Sequence, residues 1–179
     1  LQTSASDTHN YGSSAIPCRI GAYGNGGTYP WTGYIADLRI LKGTAVYTSA
    51  FTPPTEPHAR NSSAQLLMQN LTSISTVPDA GVYDAAAAGR VTLTGNWTSN
   101  SATRKFTTSS AYGGTGSLQL NDLTPEYTGG DFTIQFWLYP AAWSDNGHIF
   151  GHWIGGQYHQ YLIYSHTGTD WKFYASSNG

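Results

Sequence analysis

The side chains able to do chemistry in this chain are few and widely spaced. It has two glutamates, Glu56 in a proline-rich run and Glu126 in a loop-like segment, and its aspartates are isolated. Glycoside hydrolysis needs two carboxylates about 5–10 Å apart, which on a strand means i and i+2 or i and i+4 on one face. No such pair occurs. Gln135 stands between Thr133 and Trp137 on the strand best placed to carry one, and glutamine cannot ionise to act as nucleophile or carboxylate base. The chain therefore reads as non-catalytic.

Histidines His148 and His152 are four apart, so a strand would put them on one face, with His159 following. They are either a metal site or solvated rim histidines; no second-shell carboxylate is evident. Calcium is the other metal to weigh, with Asp122, Asp131 and Asp145 in loops as oxygen donors or, alternatively, as turn caps. No dense D-x-D-x-D loop is present, so the expected cofactor is none. The one cysteine, Cys18, lies in an apolar run and reads as a buried thiol. Gly24-Asn25-Gly26-Gly27 is a turn, not a phosphate cradle, because no Lys-Ser/Thr follows it.

Aromatic rings are the remaining resource. Trp137, Tyr139, Trp143, Trp153, Tyr158, Tyr161, Tyr164 and Trp171 crowd the second half. Such rings either stack on sugar while neighbouring amides and imidazoles bond its hydroxyls, or fill a core or a contact between modules. The glycan-binding candidates are Gln135, Trp137, Tyr139, His159 and Tyr161. In 158–165 the set His159, Tyr161, Ile163 alternates against Tyr158, Gln160, Leu162, Tyr164, so one set alone can face a groove; the His159 set is taken, on a strand expected beside Gln135.

These residues must sit on strands. Ala36, Leu38 and Ile40 alternate with Ile35, Asp37 and Arg39, and Phe132, Ile134, Phe136 and Leu138 alternate with Thr133, Gln135, Trp137 and Tyr139, the period of a strand packed on one side. Leu38, Ile40, Leu118, Leu120, Phe132, Ile134 and Phe136 are expected in the core, with Asp37, Arg39 and Gln135 on opposite faces. Strands are expected over 17–23, 33–41, 65–69, 90–94, 117–121, 132–140, 147–153, 158–165 and 171–175. Helix is expected only as a turn over 84–88, before Gly89. Charged residues are 10% of the chain, against about a quarter ordinarily. With abundant Gly, Ser, Thr and Tyr this indicates an all-β antiparallel sandwich of extracellular or virion type. Net charge is -2 and basic residues are scattered, which excludes an electrostatic case for nucleic acid; Arg104-Lys105 reads as a solvated turn. No apolar run reaches the ~20 residues of a membrane span.

Several blocks resemble laminin-G-like, concanavalin A-like jelly-roll repeats of the tandem type in tailed-phage fibre and other virion proteins. Gly130-Asp131-Phe132-Thr133-Ile134-Gln135-Phe136-Trp137-Leu138-Tyr139-Pro140 is similar to the family's most recognisable block, and Tyr112 to Leu120 to its glycine-serine strand. Gly33 to Gly43 followed by Phe51-Thr52-Pro53-Pro54-Thr55-Glu56-Pro57 resembles the last strand and exit of such a repeat, yet it comes first here. The resemblance implies that 1–57 are the C-terminal strands of one repeat, 58–65 a linker and 66–179 the N-terminal two-thirds of the next. The other arrangement is a permuted single sandwich, in which 1–57 close the sheet left open by 66–179. It implies a lectin-like structural protein of the virion or cell surface, for display or host-glycan adhesion, with surface glycans, copies of itself or neighbouring virion subunits as partners. The other readings are a purely structural fibre or decoration module and a glycanase with its acids elsewhere.

Overall fold

The computed structural model describes residues 18–22, 28–59, 63–69, 91–106, 109–120, 131–154, 157–167 and 170–175, of which 91–94, 120, 152–154, 157–160 and 175 are described by backbone alone. The turn expected over 84–88, the glycine turn over 24–27 and Asp122 lie outside the described residues. Among the described residues there is no helix, and so none long and apolar enough to cross a membrane.

Among the described residues eleven strands form two antiparallel sheets: β1 (Cys18–Ile20), β2 (Gly33–Lys42), β3 (Ala64–Met68), β4 (Val91–Gly95), β5 (Thr98–Asn100), β6 (Ser110–Gly113), β7 (Gly116–Leu120), β8 (Phe132–Pro140), β9 (His148–Ile154), β10 (Gln157–Ser165) and β11 (Trp171–Ala175). One sheet runs β11-β10-β9-β1-β7-β4; the other runs β3-β2-β6-β5, with β8 on the opposite edge of β2. β3 pairs the Leu38–Leu41 half of β2 and β6 its Gly33–Ile35 half, while β8 pairs both halves. All nine strand expectations overlap an observed strand; β5 and β6 are additional.

Segments 1–57 and 66–179 share both sheets. β1 inserts between β7 and β9, and β2 lies between β8 and the β3/β6 edge. The early strands thus close the sheets formed by the later ones. Ala64 and Gln65, assigned to the linker from the sequence, open β3, and His58 is buried.

The core lies between the sheets. Ile20, Leu118, Ile149, Phe150 and Tyr161 come from one sheet, and Ile35, Leu38, Ile40, Leu66, Met68 and Ala111 from the other. Phe132, Ile134, Phe136 and Leu138 pack against this cluster while remaining partly exposed, as expected of a strand at the edge of its sheet. Leu38, Ile40 and Leu118 are fully buried; the side chain of Leu120 is not among those described.

The alternation expected in β2 breaks at Asp37. Ile35 opposes Leu138, Ala36 opposes Trp137, and pairing resumes with Arg39 opposite Gln135, so Asp37 and Leu38 together face Phe136. This is a β-bulge. Asp37 occupies it with φ 53°, a left-handed conformation that Asp tolerates better than most residues. The extra residue flips the parity of everything before it. Ile35 therefore enters the core, and Ala36, expected beside Leu38 and Ile40, turns to the outer face. At the same end of the sandwich, Trp97 packs against Gly113, where an added Cβ would meet its ring at 2.5 Å.

Candidate functional site

The outer face of β2 and β8 carries two unlike halves. At the Thr133–Gln135 end it is roofed by the segment that leaves β2. Thr133 Oγ1 donates to the Thr44 carbonyl (2.8 Å) and accepts from Val46 N (3.0 Å). Gln135 Oε1 accepts from Arg39 Nε (3.0 Å) and Arg39 Nη2, and Gln135 Nε2 donates to Tyr47 Oη (2.7 Å). Arg39 Nη1 reaches the Ala59 carbonyl (3.3 Å), and Tyr47 stacks on Phe51 at 3.7 Å. Gln135 thus lies on the face opposite the core, as expected, but its amide serves as a clasp for the roof.

A second clasp holds the far end of the same segment. Asp37 Oδ2 accepts from His58 N (2.9 Å) and lies 2.6 Å from His58 Nδ1, while Gln69 Nε2 donates to Asp37 Oδ1. Nδ1 is also 3.2 Å from the Asp37 carbonyl; facing two acceptors, it carries the proton. Burial pushes the Asp37 carboxyl up, but the bonds from His58 and Gln69 outweigh it and hold the group below its ordinary value.

The Trp137–Tyr139 half is open. Tyr112, Tyr34 and Tyr139 form a row across β6, β2 and β8, with ring centroids 4.8 and 5.9 Å apart. Beside it is a pocket of about 150 Å³ between Tyr34, Ala36, Ser110, Trp137 and Tyr139, with Thr103, Arg104 and Lys105 at its lip. The bulge creates its floor. By bringing Ala36 rather than Asp37 opposite Trp137, and turning Ile35 inward, it leaves the space empty. Asn100, ending β5, aims the lip: its Oδ1 accepts from Ala102 N (3.0 Å) and Thr103 N (2.7 Å), Ser110 Oγ bonds the Thr103 carbonyl, and Arg104 Nη1 donates to the Ser101 carbonyl (2.9 Å). Lys105 Nζ stands 3.9 Å from the Trp137 ring centroid, and Phe106 meets that ring edge-on at 5.9 Å. Tyr139, 61% exposed, is the most open ring of the group.

The five sequence candidates do not converge. Trp137 and Tyr139 share the pocket, and Gln135 is next to it on the same strand but is held by Arg39 and Tyr47. His159 and Tyr161 are on β10, expected beside β8; β10 instead pairs β9 and β11 in the other sheet. Tyr161 is a core residue, 1% exposed, stacked on Phe150 at 5.5 Å with its hydroxyl 3.5 Å from Cys18 Sγ. A ring so enclosed cannot meet a glycan. The backbone of His159 lies on β10, and its side chain is outside those described. Cys18 is buried, as expected, and burial raises its thiol to about 12. Of the other set on 158–165, Tyr164 faces outward against Tyr174 (5.6 Å) and His148 (6.0 Å).

Sequence reasoning missed Tyr34, Ala36, Arg104 and Lys105. The signal available was Arg104-Lys105, the chain's one adjacent basic pair, read as a solvated turn. Among the described residues no group of three or more His, Cys, Asp or Glu side chains could hold a metal ion, and the pocket lining contains no carboxylate.

Compared with protein-family models, with curated proteins and with solved structures, the chain matches none.

Proposed function

We propose that this chain is a non-catalytic, lectin-like sandwich module of the jelly-roll type, part of a virion or extracellular structural protein, and that it holds surface glycans in the groove beside Tyr139. The observation that carries the reading is an aromatic ring 61% exposed at the rim of a pocket with convergent polar groups. A free tyrosine face offers stacking to a sugar ring, while the Tyr34 and Thr103 hydroxyls and the two lip cations offer hydrogen bonds. The absence of any carboxylate among the described lining residues favours binding over hydrolysis. Trp137 acts as a wall, because Lys105 already occupies one face of its ring.

The test is a glycan array read for the wild-type chain, Tyr139→Ala and Ala36→Leu. Truncating an exposed ring changes stability by about 0.5 kcal/mol or less, so Tyr139→Ala melts like the wild type and loses array binding. Ala36→Leu fills the pocket and loses binding too. Retained binding in both variants, or a silent wild type, overturns the reading.

The second reading, a module that only makes contacts with copies of itself or with neighbouring virion subunits, draws on a different surface. β11 is an edge strand carrying Trp171, Phe173 and Tyr174, which are 44%, 54% and 47% exposed. Unpaired edges with exposed aromatics invite strand addition. Under this reading Phe173→Ser changes the oligomeric state in light scattering and leaves the array profile untouched.

A further inference from the structure

We infer that the ligand of this groove is an anionic saccharide, one whose ring lies on Tyr139 while its carboxylate or sulfate is met by Arg104 and Lys105; this rests on the glycan-binding reading above. Both cations stand at the lip of the pocket, and neither is spent. Arg104 gives Nη1 to the Ser101 carbonyl, and among the described residues its Nε and Nη2 donors meet no acceptor; among the same residues Lys105 has the Trp137 ring as its partner. Neither makes an ion pair with a described acid. The lining of the pocket has no aspartate or glutamate. Glu56 lines a neighbouring concavity that the same Arg104, Lys105 and Phe106 border.

The placement is local, not a consequence of overall charge. The chain carries -2, so nothing in its global field draws an anion. The turn is also built. Asn100 Oδ1 holds the Ala102 and Thr103 amides, and Ser110 holds the Thr103 carbonyl, so two long cationic side chains leave from a fixed base. A guanidinium with free donors matches a carboxylate or sulfate with two parallel bonds, and an ammonium adds a point charge. A neutral sugar would offer the cations only hydroxyl oxygens, and would forgo the charge-assisted bonds that a carboxylate or sulfate makes.

The experiment probes an array of neutral, sialylated, uronate-containing and sulfated oligosaccharides with the wild-type chain, Arg104→Gln, Lys105→Gln and the double variant, each checked for an unchanged melting curve. Wild-type signal is expected on acidic members alone, falling at least about tenfold in the double variant and weakening as NaCl is raised. The uronate and sulfate arms identify which anion is preferred. Equal signal on neutral and acidic members, or acidic signal that survives in the double variant, overturns this inference while leaving glycan binding intact. Silence across the array with the wild-type chain overturns both. Arg104→Lys keeps the charge but loses the fork. A drop in carboxylate binding for that variant supports the two-bond contact, and full retention removes it.

Discussion

Asp37 is where backbone, electrostatics and the open groove meet, so its removal makes the sharpest test. Asp37→Ala takes the acceptor away from three donors: His58 N–H, His58 Nδ1–H and Gln69 Nε2–H. Asp37 and His58 are 5% and 7% exposed, so the His58 backbone N–H is stranded out of reach of water, and Nδ1–H keeps only the longer contact to the Asp37 carbonyl at 3.2 Å. Each buried unsatisfied group costs about 1–3 kcal/mol, and removing one partner of a buried pair costs about 3–5 kcal/mol. Gln69 keeps its bond to the His58 carbonyl and adds little. The expected loss is about 3–5 kcal/mol, a large fraction of the roughly 5–15 kcal/mol that holds a domain together. Asp37→Gly loses the same bonds but relieves the φ of 53°, and should be about 1 kcal/mol better than alanine. Asp37→Asn keeps one acceptor oxygen and the turn preference, and falls between wild type and alanine. The pH dependence has a definite sign. The carboxyl is held below its ordinary 3.8 in the folded state, so its contribution is complete above that value and is lost as pH falls through the folded value. Urea unfolding at neutral pH, repeated from about pH 6 to 2, reads all of this. An alanine variant within about 0.5 kcal/mol of wild type, or an acid loss in Asp37→Asn as large as in wild type, would refute the clasp.

Two further outcomes are expected. Leu38→Ala, at a side chain 1% exposed between the sheets, costs about 2–5 kcal/mol by urea unfolding; a loss under about 1 kcal/mol would mean that the bulge does not place Leu38 in the core. Burial pushes His148 from 6.5 to about 4, so the unfolded chain takes up the proton first. Stability then falls as pH drops from about 6.5 to about 4, by at most about 3 kcal/mol, and levels off below. His148→Gln flattens that window; equal slopes for the two proteins would refute it.

The strands and their core-facing residues could be read from period alone where one face is buried. Phe132, Ile134, Phe136 and Leu138 are an example, since every second position sees the other sheet. Leu38, Ile40 and Leu118 follow the same rule. Period could not reveal which strands are neighbours. β8 lies against β2, 90 or more residues earlier (Phe132 opposite Lys42), and not against β10, because pairing partners are chosen by closure of the whole sandwich and not by local pattern. That is why Tyr161, a polar-tipped ring on an alternating strand, was assigned to a groove and sits in the core. Nor could alternation show its own interruption. One residue at Asp37 exchanges the faces of Ile35 and Ala36, and with them decides that a pocket exists beside Trp137. The outward face of Trp137 and Tyr139 was legible in their sequence. The row with Tyr34, the room over Ala36 and the cations of the 101–106 turn come from chain segments brought together across the sheet, where spacing along the sequence carries no information.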